Sequence, residues 1–148
     1  MTVSLAMIVR DEEAVLDRAI TSFEGCYDEL IVVDTGSTDS TKEIARSHNA
    51  TLYDFPWVDD FAAARNFAFG KATCDWVVCL DADDIWMTPR DFFRWKMEEY
   101  SKSPVDLSQC KVRFKDNDGN ITLDYPSPRI VRRGKGYWKY AVHELLVS

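Results

Sequence analysis

The segment WVVCLDADD, residues 76–84, places three aspartates directly after five apolar residues. A continuous apolar run of this kind is typical of a strand that is covered on both faces of a parallel sheet. Similar runs precede it at Val3–Val9 and Leu30–Val33, and Thr51–Phe55 is a further predicted strand. Stretches with helical spacing of apolar residues separate these predicted strands. The pattern predicts an α/β fold, in which a Rossmann-like, mostly parallel sheet has helices on both faces.

Four helices are predicted around these strands, and three of them begin at a feature that is typical of a helix N-terminus. These features are the acidic segment Arg10–Glu13 for the first helix, a capping box of Ser40 and Glu43 for the second and Thr88-Pro89 for the fourth, and the third helix is predicted over Asp60–Lys71. The first helix ends at Gly25, the second near His48 and the third at Lys71.

After residue 104 the sequence changes to the alternation that is typical of antiparallel strands. Apolar Cys110, Val112 and Phe114 alternate with basic residues, and Asp118-Gly119 is a hairpin turn signal. Further short strands are predicted at Ile121–Leu123, Arg129–Arg132, Tyr137–Tyr140 and 143–147. We expect residues 1–148 to form a single domain, in which a short antiparallel C-terminal part (104–148) extends the parallel part (1–103).

The composition argues against several classes of protein. Hydrophobic residues make up 46% of the chain, which is enough to bury a core. With 25 acidic and 18 basic residues the net charge is −7, and this balance disfavours binding to nucleic acid. The longest apolar runs have about five residues, far below the roughly 20 of a transmembrane helix. No basic segment typical of a secretory signal follows Met1.

The four cysteines form no Cys-x-x-Cys pair, and with only two histidines in the chain a structural zinc site is not expected. Cys79 and Cys110 lie in apolar, strand-like runs, where we expect small buried residues. This cysteine usage fits a reducing, cytoplasmic setting. The sequence leaves the oligomeric state open.

Acidic residues follow three of the four predicted parallel strands. They lie in Arg10–Glu12, in Asp34–Ser37 and in Asp81–Asp84. Because ligands bind beyond the carboxyl ends of the strands in open α/β sheets, these groups predict a site at that edge. Clustered carboxylates repel one another and favour a cation, and oxygen ligands suit Mg²⁺ or Mn²⁺.

Asp81 and Asp83 are the strongest candidates for holding such an ion. In an extended segment, residues two apart project to the same side, so both carboxylates can address one ion or ligand. The alternative is that these acids only cap the following turn.

Five segments, in this order, resemble glycosyltransferase family 2, whose members are inverting nucleotide-sugar transferases with the A-type fold. The segments are Ala6–Glu13, Ile31–Asp39, Ala64–Asn66, Leu80–Asp84 and Val142–Glu144. The resemblance extends from Val3 to Glu144 and is greatest to small bacterial or phage-type members. It implies a metal-dependent transfer of a sugar from a nucleotide sugar to an acceptor hydroxyl. A UDP-sugar such as UDP-glucose is the expected donor.

The resemblance also divides the chain by role. It implies that residues 1–103 bind the nucleotide sugar and that residues 104–148 face the acceptor, which is an unknown glycan, lipid or protein. Two alternatives stay open: a donor-binding module or truncated domain with little transfer activity, and a nucleotidyltransferase. The second is disfavoured because Leu5–Arg10 contains no glycine for a phosphate loop.

The resemblance assigns roles to individual residues. Asp34 is expected to bind the base or ribose, Asp83 to bind Mn²⁺ or Mg²⁺ directly, and Asp81 to hold the ribose or reach the ion through water. The full set of residues expected to bind the donor and its ion is Val9, Arg10, Glu12, Asp34, Ser37, Arg65, Asp81, Ala82 and Asp83.

Three of these assignments have a structural alternative. Asp34 can instead cap a helix, and Arg10 can be a surface charge. Arg65 lies in an apolar segment and is expected either to reach the nucleotide or to form a salt bridge with Asp59 or Asp60.

An inverting transfer needs a base that accepts the proton of the acceptor hydroxyl. Many relatives use the acid of a Glu-Asp or related pair in the second part of the domain, and no Glu-Asp dipeptide occurs there. Glu144 is therefore the candidate base, with Asp84 in reserve. His143 is expected to complete the metal coordination, to orient Glu144, or to be structural.

The segment Arg129–Lys139 carries five basic residues and no acid. One interpretation is a mobile flap, hinged at Gly134 and Gly136, that closes over the diphosphate. The other is a solvated hairpin.

Overall fold

Eight strands and four helices make up the protein in a computed structural model that describes residues 1–148. The strands are β1 (Val3–Val9), β2 (Glu29–Asp34), β3 (Thr51–Asp54), β4 (Trp76–Cys79), β5 (Leu107–Lys115), β6 (Ile121–Arg132), β7 (Tyr137–Lys139) and β8 (Leu145–Val147). The helices are α1 (Leu16–Ser22), α2 (Thr41–Ser47), α3 (Phe61–Lys71) and α4 (Arg90–Ser101). None of these helices is long and apolar enough to cross a membrane.

Six strands form one sheet in the order β3-β2-β1-β4-β6-β5. Strands β1 to β4 run parallel to one another, whereas β6 runs antiparallel to both β4 and β5. Strands β7 and β8 form a separate antiparallel pair. The predicted α/β class, with a mostly parallel sheet and an antiparallel C-terminal part, is confirmed.

Two apolar cores lie on opposite faces of the sheet. One contains Leu16 and Ile20 of α1 together with Phe93 and Met97 of α4. The other contains Ala62 and Ala68 of α3 together with Trp138 of β7 and Leu146 of β8. Because both faces are covered, the central parallel strands β1, β2 and β4 are mostly apolar, and their sequences are continuous apolar runs rather than alternating ones. Strand β3 lies at the sheet edge, and its Thr51 and Asp54 are exposed.

Helix α1 begins later than predicted, at Leu16 rather than in the segment Arg10–Glu13. The predicted start is wrong because residues 10–15 form a loop that is hydrogen-bonded to the segment after β2. The bonds run from the amide of Asp11 to Ser37 Oγ, from that of Glu12 to Thr41 Oγ1 and from that of Glu13 to Asp39 Oδ2. Asp11 also has a φ of 52°, which is not helical.

Two predicted helix caps are also wrong. The Ser40 side chain makes no capping bond, and Asp39 instead accepts a 2.9 Å hydrogen bond from the Thr41 amide. Helix α4 begins after Pro89 with no side-chain cap, so Thr88 does not fill that role. Helix α3 is capped by Asp60, whose Oδ1 accepts a 2.9 Å hydrogen bond from the Ala63 amide.

The basic segment Arg129–Lys139 is not a flap. Arg129 and Arg132 lie in β6, which continues without a break from Ile121 and replaces the two short strands that were predicted. Arg132 donates to Asp106 and lies over the ring of Trp76, at 4.7 Å from its centroid. These arginines are therefore part of the sheet and its packing.

Gly134 and Gly136 are needed for packing and turn geometry rather than as hinges. Gly134 has a φ of 76°, which side-chain-bearing residues rarely adopt. A Cβ at Gly136 would lie 2.5 Å from Val131 Cγ2 and 2.9 Å from the carbonyl oxygen of Val147. The close approach of β8 to this turn thus excludes any larger residue at position 136.

We expect Gly136→Ala to lower the free energy of unfolding by about 1–3 kcal/mol, because the new methyl group overpacks the contact with β8. The matched control is Gly70→Ala in α3, where no atom lies within 4 Å of the new Cβ. There alanine should raise the free energy of unfolding by about 0.5–1 kcal/mol. Urea unfolding measures both, and equal effects of the two substitutions would contradict this account.

Candidate active site

A pocket of about 450 Å³ lies at the carboxyl edge of the parallel strands. It is lined by Ile8, Glu12, Phe61, Arg65, Asp81, Ala82, Asp83, Val142, His143 and Glu144. The structure therefore brings together Arg65 of α3, the acids after β4 and the Val142–Glu144 segment, which are far apart in sequence. Five other predicted site residues do not line this pocket: Val9, Arg10, Asp34, Ser37 and Asp84.

Asp81–Asp84 form a tight turn, and the expectation that this segment is extended is wrong. The Asp84 amide donates a 3.1 Å hydrogen bond to the carbonyl oxygen of Asp81. Asp84 Oδ2 in return accepts a 3.0 Å bond from the Asp81 amide. Within the turn Ala82 is buried, whereas the Asp83 side chain is exposed and has no hydrogen-bond or ion-pair partner.

Asp81 is bound by two arginines, one at each carboxylate oxygen. Arg65 Nη2 lies 2.6 Å from Oδ1, and Arg129 Nη1 lies 3.0 Å from Oδ2. Arg129 Nη2 also lies 3.4 Å from Asp84 Oδ2. Burial raises the pKa of Asp81, but the two guanidinium groups outweigh burial, so this pKa is lowered. Asp81 is thus an ionised carboxylate, and each of its two oxygens accepts a hydrogen bond from an arginine.

Arg65 connects three parts of the site. Besides Asp81, it donates through Nε to Glu144 Oε1 at 2.8 Å and through Nη1 to Cys79 Sγ at 3.0 Å. Its guanidinium also lies 4.8 Å from the centroid of the Trp138 ring. Because Arg65 is only 7% exposed, these contacts largely enclose it.

The expected alternative partners of Arg65 were Asp59 and Asp60, and that expectation is wrong. Asp60 caps α3, and Asp59 accepts a hydrogen bond from Trp57. The ion pairs of Arg65 are instead with Asp81 and Glu144, which lie 16 and 79 residues away in sequence.

Sequence reasoning missed the role of Arg129, which it placed only in a basic segment. A signal was present, because Pro128, Ile130 and Val131 surround this arginine with apolar residues. An arginine in such a run usually has an anionic partner.

Glu144 and His143 lie in a loop with unusual backbone geometry. Tyr140 and His143 have φ values of 70° and 54°, and the Ala141 carbonyl oxygen accepts a 3.0 Å hydrogen bond from the Phe61 amide. The loop is therefore attached to the N-terminus of α3. Glu144 is half-buried, whereas the His143 side chain is exposed.

Asp34 is buried at the end of β2 with one oxygen unused. Its Oδ1 accepts 2.9 Å hydrogen bonds from the amides of Gly36 and Ser37, whereas Oδ2 has no partner. Burial raises the pKa of Asp34, but the bonds from Ser37 and Gly36 and the charge of Lys42 outweigh it, and the pKa is lowered. Since α2 begins at Thr41, Asp34 does not cap that helix.

The remaining predicted donor-binding residues surround the loop before α1. The Val9 carbonyl oxygen accepts hydrogen bonds from the amide and hydroxyl of Thr35, so it is already used. Arg10 is exposed. Ser37 Oγ accepts a bond from the Asp11 amide, and Glu12 lines the pocket.

The pocket has a negative potential. The pKa of Glu12 is raised, first by burial and then by the charges of Asp83, Asp39 and Asp81. Burial also raises the pKa of Asp84, although Arg129 counteracts part of this effect. No group of three or more His, Cys, Asp or Glu side chains is arranged to hold a metal ion.

A larger groove of about 690 Å³ lies at the opposite edge of the sheet. It is lined by the amino ends of β2 and β3 and by the segment before β4, including Glu29, Thr51 and Thr73. None of the predicted site residues lines this groove.

Residues 4–140 match the model of the family described as glycosyl transferase family 2. The chain belongs to glycosyl transferase family 2. The resemblance that five short segments carried is thereby confirmed.

Relatives of this family 2 chain include bacterial and phage proteins. A TPR repeat-containing protein of Synechococcus elongatus is 54% identical over 82 residues, which cover 55% of this chain and 20% of that protein. An uncharacterized glycosyltransferase of Rickettsia typhi is 39% identical over 82 residues, covering 55% of this chain and 28% of that protein. The prophage-derived glycosyltransferase SunS of Bacillus subtilis is 31% identical over 93 residues, covering 57% and 21%. The matched region thus spans less than a third of these relatives.

Solved structures of similar fold include residues 1–349 of TarS of S. aureus in complex with UDP, with a TM-score of 0.64 and 19% identity over 83% of this family 2 chain and 38% of that fragment. Glucosyl-3-phosphoglycerate synthase of Mycobacterium tuberculosis in complex with UDP has a TM-score of 0.62 and 25% identity, covering 77% of this chain and 45% of that one. The same enzyme with Mn²⁺, UDP and phosphoglyceric acid has a TM-score of 0.59, 25% identity and coverage of 73% and 42%.

The pH dependence of stability tests the environment of Asp34. Because its pKa is lower in the folded protein than the usual value of about 3.9, its stabilising contribution is complete above about pH 4 and is lost as the pH falls through the folded pKa. Asp34→Asn keeps an oxygen that accepts the bonds from Gly36 and Ser37 but does not titrate. In urea unfolding between pH 7 and 2.5, the wild type should lose stability more steeply below pH 4 than the variant. Parallel curves would contradict this assignment.

Proposed function

We propose that this chain binds a UDP-sugar together with Mn²⁺ or Mg²⁺ and transfers the sugar to an acceptor hydroxyl with inversion. The observation that carries the proposal is the exposed, partnerless carboxylate of Asp83, in a pocket that also contains Glu144. Family membership supports it, as do the UDP complexes of two proteins of similar fold. UDP-glucose is one candidate donor, and UDP-GlcNAc, which is bound in a TarS structure, is another.

Asp34 fits the role of binding the nucleoside. Its Oδ2 atom is buried and lacks a partner, although buried polar atoms in proteins are nearly always hydrogen-bonded. A ribose hydroxyl or an N–H of the base would supply the missing donor. Ser37 and Gly36 hold the other oxygen, so the carboxylate is already oriented for this contact.

Asp83 fits the role of the direct ligand to the divalent ion. Its carboxylate is free, whereas both oxygens of Asp81 are bound by arginines. In this proposal Asp81 therefore acts on the ribose or through water, and His143, which is exposed at the pocket, is a further candidate ligand. When bound, the ion would neutralise negative charge on the departing diphosphate. A ligand set with few free carboxylates agrees with the way Mg²⁺ is usually bound, by one or two carboxylates together with substrate phosphates.

Glu144 fits the role of the base better than Asp84. Glu144 lines the pocket, and Arg65 binds only its Oε1 atom. Asp84 lies outside the pocket lining, and its Oδ2 atom is bound by the Asp81 amide and by Arg129. As the acceptor oxygen bonds to the anomeric carbon, Glu144 would take the hydroxyl proton, and the bond from that carbon to the diphosphate would break.

The acceptor would enter from the side of the 140–144 loop. Val142 is 65% exposed at the pocket, and Phe61 is 41% exposed beside it. Both line the pocket, to which residues 104–148 supply Val142, His143 and Glu144. A glycan, a lipid or a protein with a free hydroxyl remains a candidate acceptor.

Calorimetry of UDP binding with and without Mn²⁺ tests the donor site. Wild-type protein should bind UDP at least tenfold more tightly with Mn²⁺, and Asp83→Asn should remove most of this gain because it removes the free carboxylate. Asp118→Asn, at the exposed tip of the β5–β6 hairpin, is the matched control and should bind as the wild type does. Metal-independent binding in the wild type would contradict the role of the ion.

Release of UDP from UDP-glucose and UDP-GlcNAc, with water or simple acceptors, tests transfer. Glu144→Gln should lower the rate of UDP release about 100-fold or more, since general base catalysis contributes roughly 10²–10⁴-fold. UDP binding by this variant should persist. If the wild type releases no UDP above background, the chain is a donor-binding module. Release of pyrophosphate would instead identify a nucleotidyltransferase.

A further inference from the structure

Arg129 reaches the Asp81–Asp84 turn from β6, a strand that contributes no residue to the pocket lining. It lies next to Ile130, which pairs with Val78 of β4 in antiparallel register. This pairing carries the Arg129 side chain to the residues that follow β4, where only 10% of it is exposed. A guanidinium that is buried to this extent needs anionic partners, because an unpaired buried charge is strongly destabilising.

The contacts of Arg129 brace the two ends of the turn. Nη1 binds Asp81 Oδ2 at 3.0 Å, and Nη2 lies 3.4 Å from Asp84 Oδ2. The same Asp84 oxygen accepts the 3.0 Å bond from the Asp81 amide. One arginine thus joins the first and last residues of the turn, and Asp83 lies between these two fixed positions.

Arg65 cannot replace Arg129 in this role. Arg65 approaches from α3, binds the other oxygen of Asp81 and continues to Glu144. It makes no contact with Asp84. The carboxylates of Asp81, Asp83 and Asp84 lie within four residues of one another in sequence. Without Arg129, only Asp81 would keep a cationic partner. Repulsion among like charges at such short range would favour opening of the turn.

We propose that Arg129 is a positioning residue, which holds Asp81 and Asp84 and thereby fixes the direction in which Asp83 presents its carboxylate to the divalent ion. This inference rests on the proposed function, because it concerns the same donor site. It assigns to a residue of the antiparallel C-terminal part a role in donor binding rather than in acceptor binding.

Calorimetry of UDP binding with and without Mn²⁺ tests the inference through Arg129→Lys. A lysine has a single ammonium group and cannot span Asp81 and Asp84 as the guanidinium does. The tightening of UDP binding by Mn²⁺ should fall about tenfold or more, the size of effect typical for residues that orient metal ligands. UDP binding without the ion should fall by a smaller factor, because Asp83 contributes to donor binding only through the ion.

The matched control is Arg132→Lys, three residues further along β6. Arg132 is also a paired arginine of this strand, but its partners are Asp106 and the ring of Trp76, away from the pocket. Both variants should lose thermal stability, whereas only Arg129→Lys should lose the effect of Mn²⁺ on UDP binding. An equal response to Mn²⁺ in the two variants would overturn the inference and assign Arg129 a purely structural role.

Asp84→Asn provides a second test if Arg129→Lys does not fold. The asparagine oxygen can still accept the bond from the Asp81 amide, but the charge that attracts Arg129 is gone. A weaker effect of Mn²⁺ on UDP binding is expected here too, and an unchanged effect would overturn the inference. If the wild type itself shows no effect of Mn²⁺, then both the inference and the proposed function are wrong. The two failures are thus distinguishable.

Discussion

Carboxylates outnumber arginines at the carboxyl edge of the sheet, and the arrangement of the site follows from this imbalance. Asp81, Asp84 and Glu144 share two guanidinium groups, those of Arg65 and Arg129. Each arginine is nearly buried and comes from a different element, so the ion pairs join α3, β6, the turn after β4 and the 140–144 loop. Removal of either arginine would leave buried negative charge, which is far more costly than the loss of a surface ion pair.

The division of labour among the three aspartates of the turn follows from these pairs. Asp81 and Asp84 form ion pairs with arginines, and of the three only Asp83 has a carboxylate without a partner. Within the turn, two carboxylates are therefore held by arginines and one is open to a ligand. A diphosphate that arrives with a divalent ion would complement this arrangement, because the ion needs oxygens from both sides. Arg65 extends the same network to Glu144, so ion pairs join the proposed donor site to the proposed base.

Local patterns predicted the strands well because burial on both faces leaves a simple apolar run, as in Val3–Val9. They failed where long-range hydrogen bonds decide the local conformation. The amides of residues 11–13 bind side chains at 37–41, and this replaces the predicted first turn of α1 with a loop. Ile121–Arg132 forms one strand rather than two because pairing with β5 and β4 extends along it, and no signal at residues 124–128 reveals that pairing.

The sequence by itself determined the α/β class, the edge at which the acids gather and the family, since apolar runs and short ordered motifs carry that information along the chain. Only the tertiary structure decided that Arg65 pairs with Asp81 and Glu144 rather than with Asp59 or Asp60, and that Arg129 joins it there. The physical reason is that a guanidinium selects partners by distance in space. Those partners lie 16 to 79 residues away in sequence, and strand pairing and helix packing alone bring them within 3.0 Å.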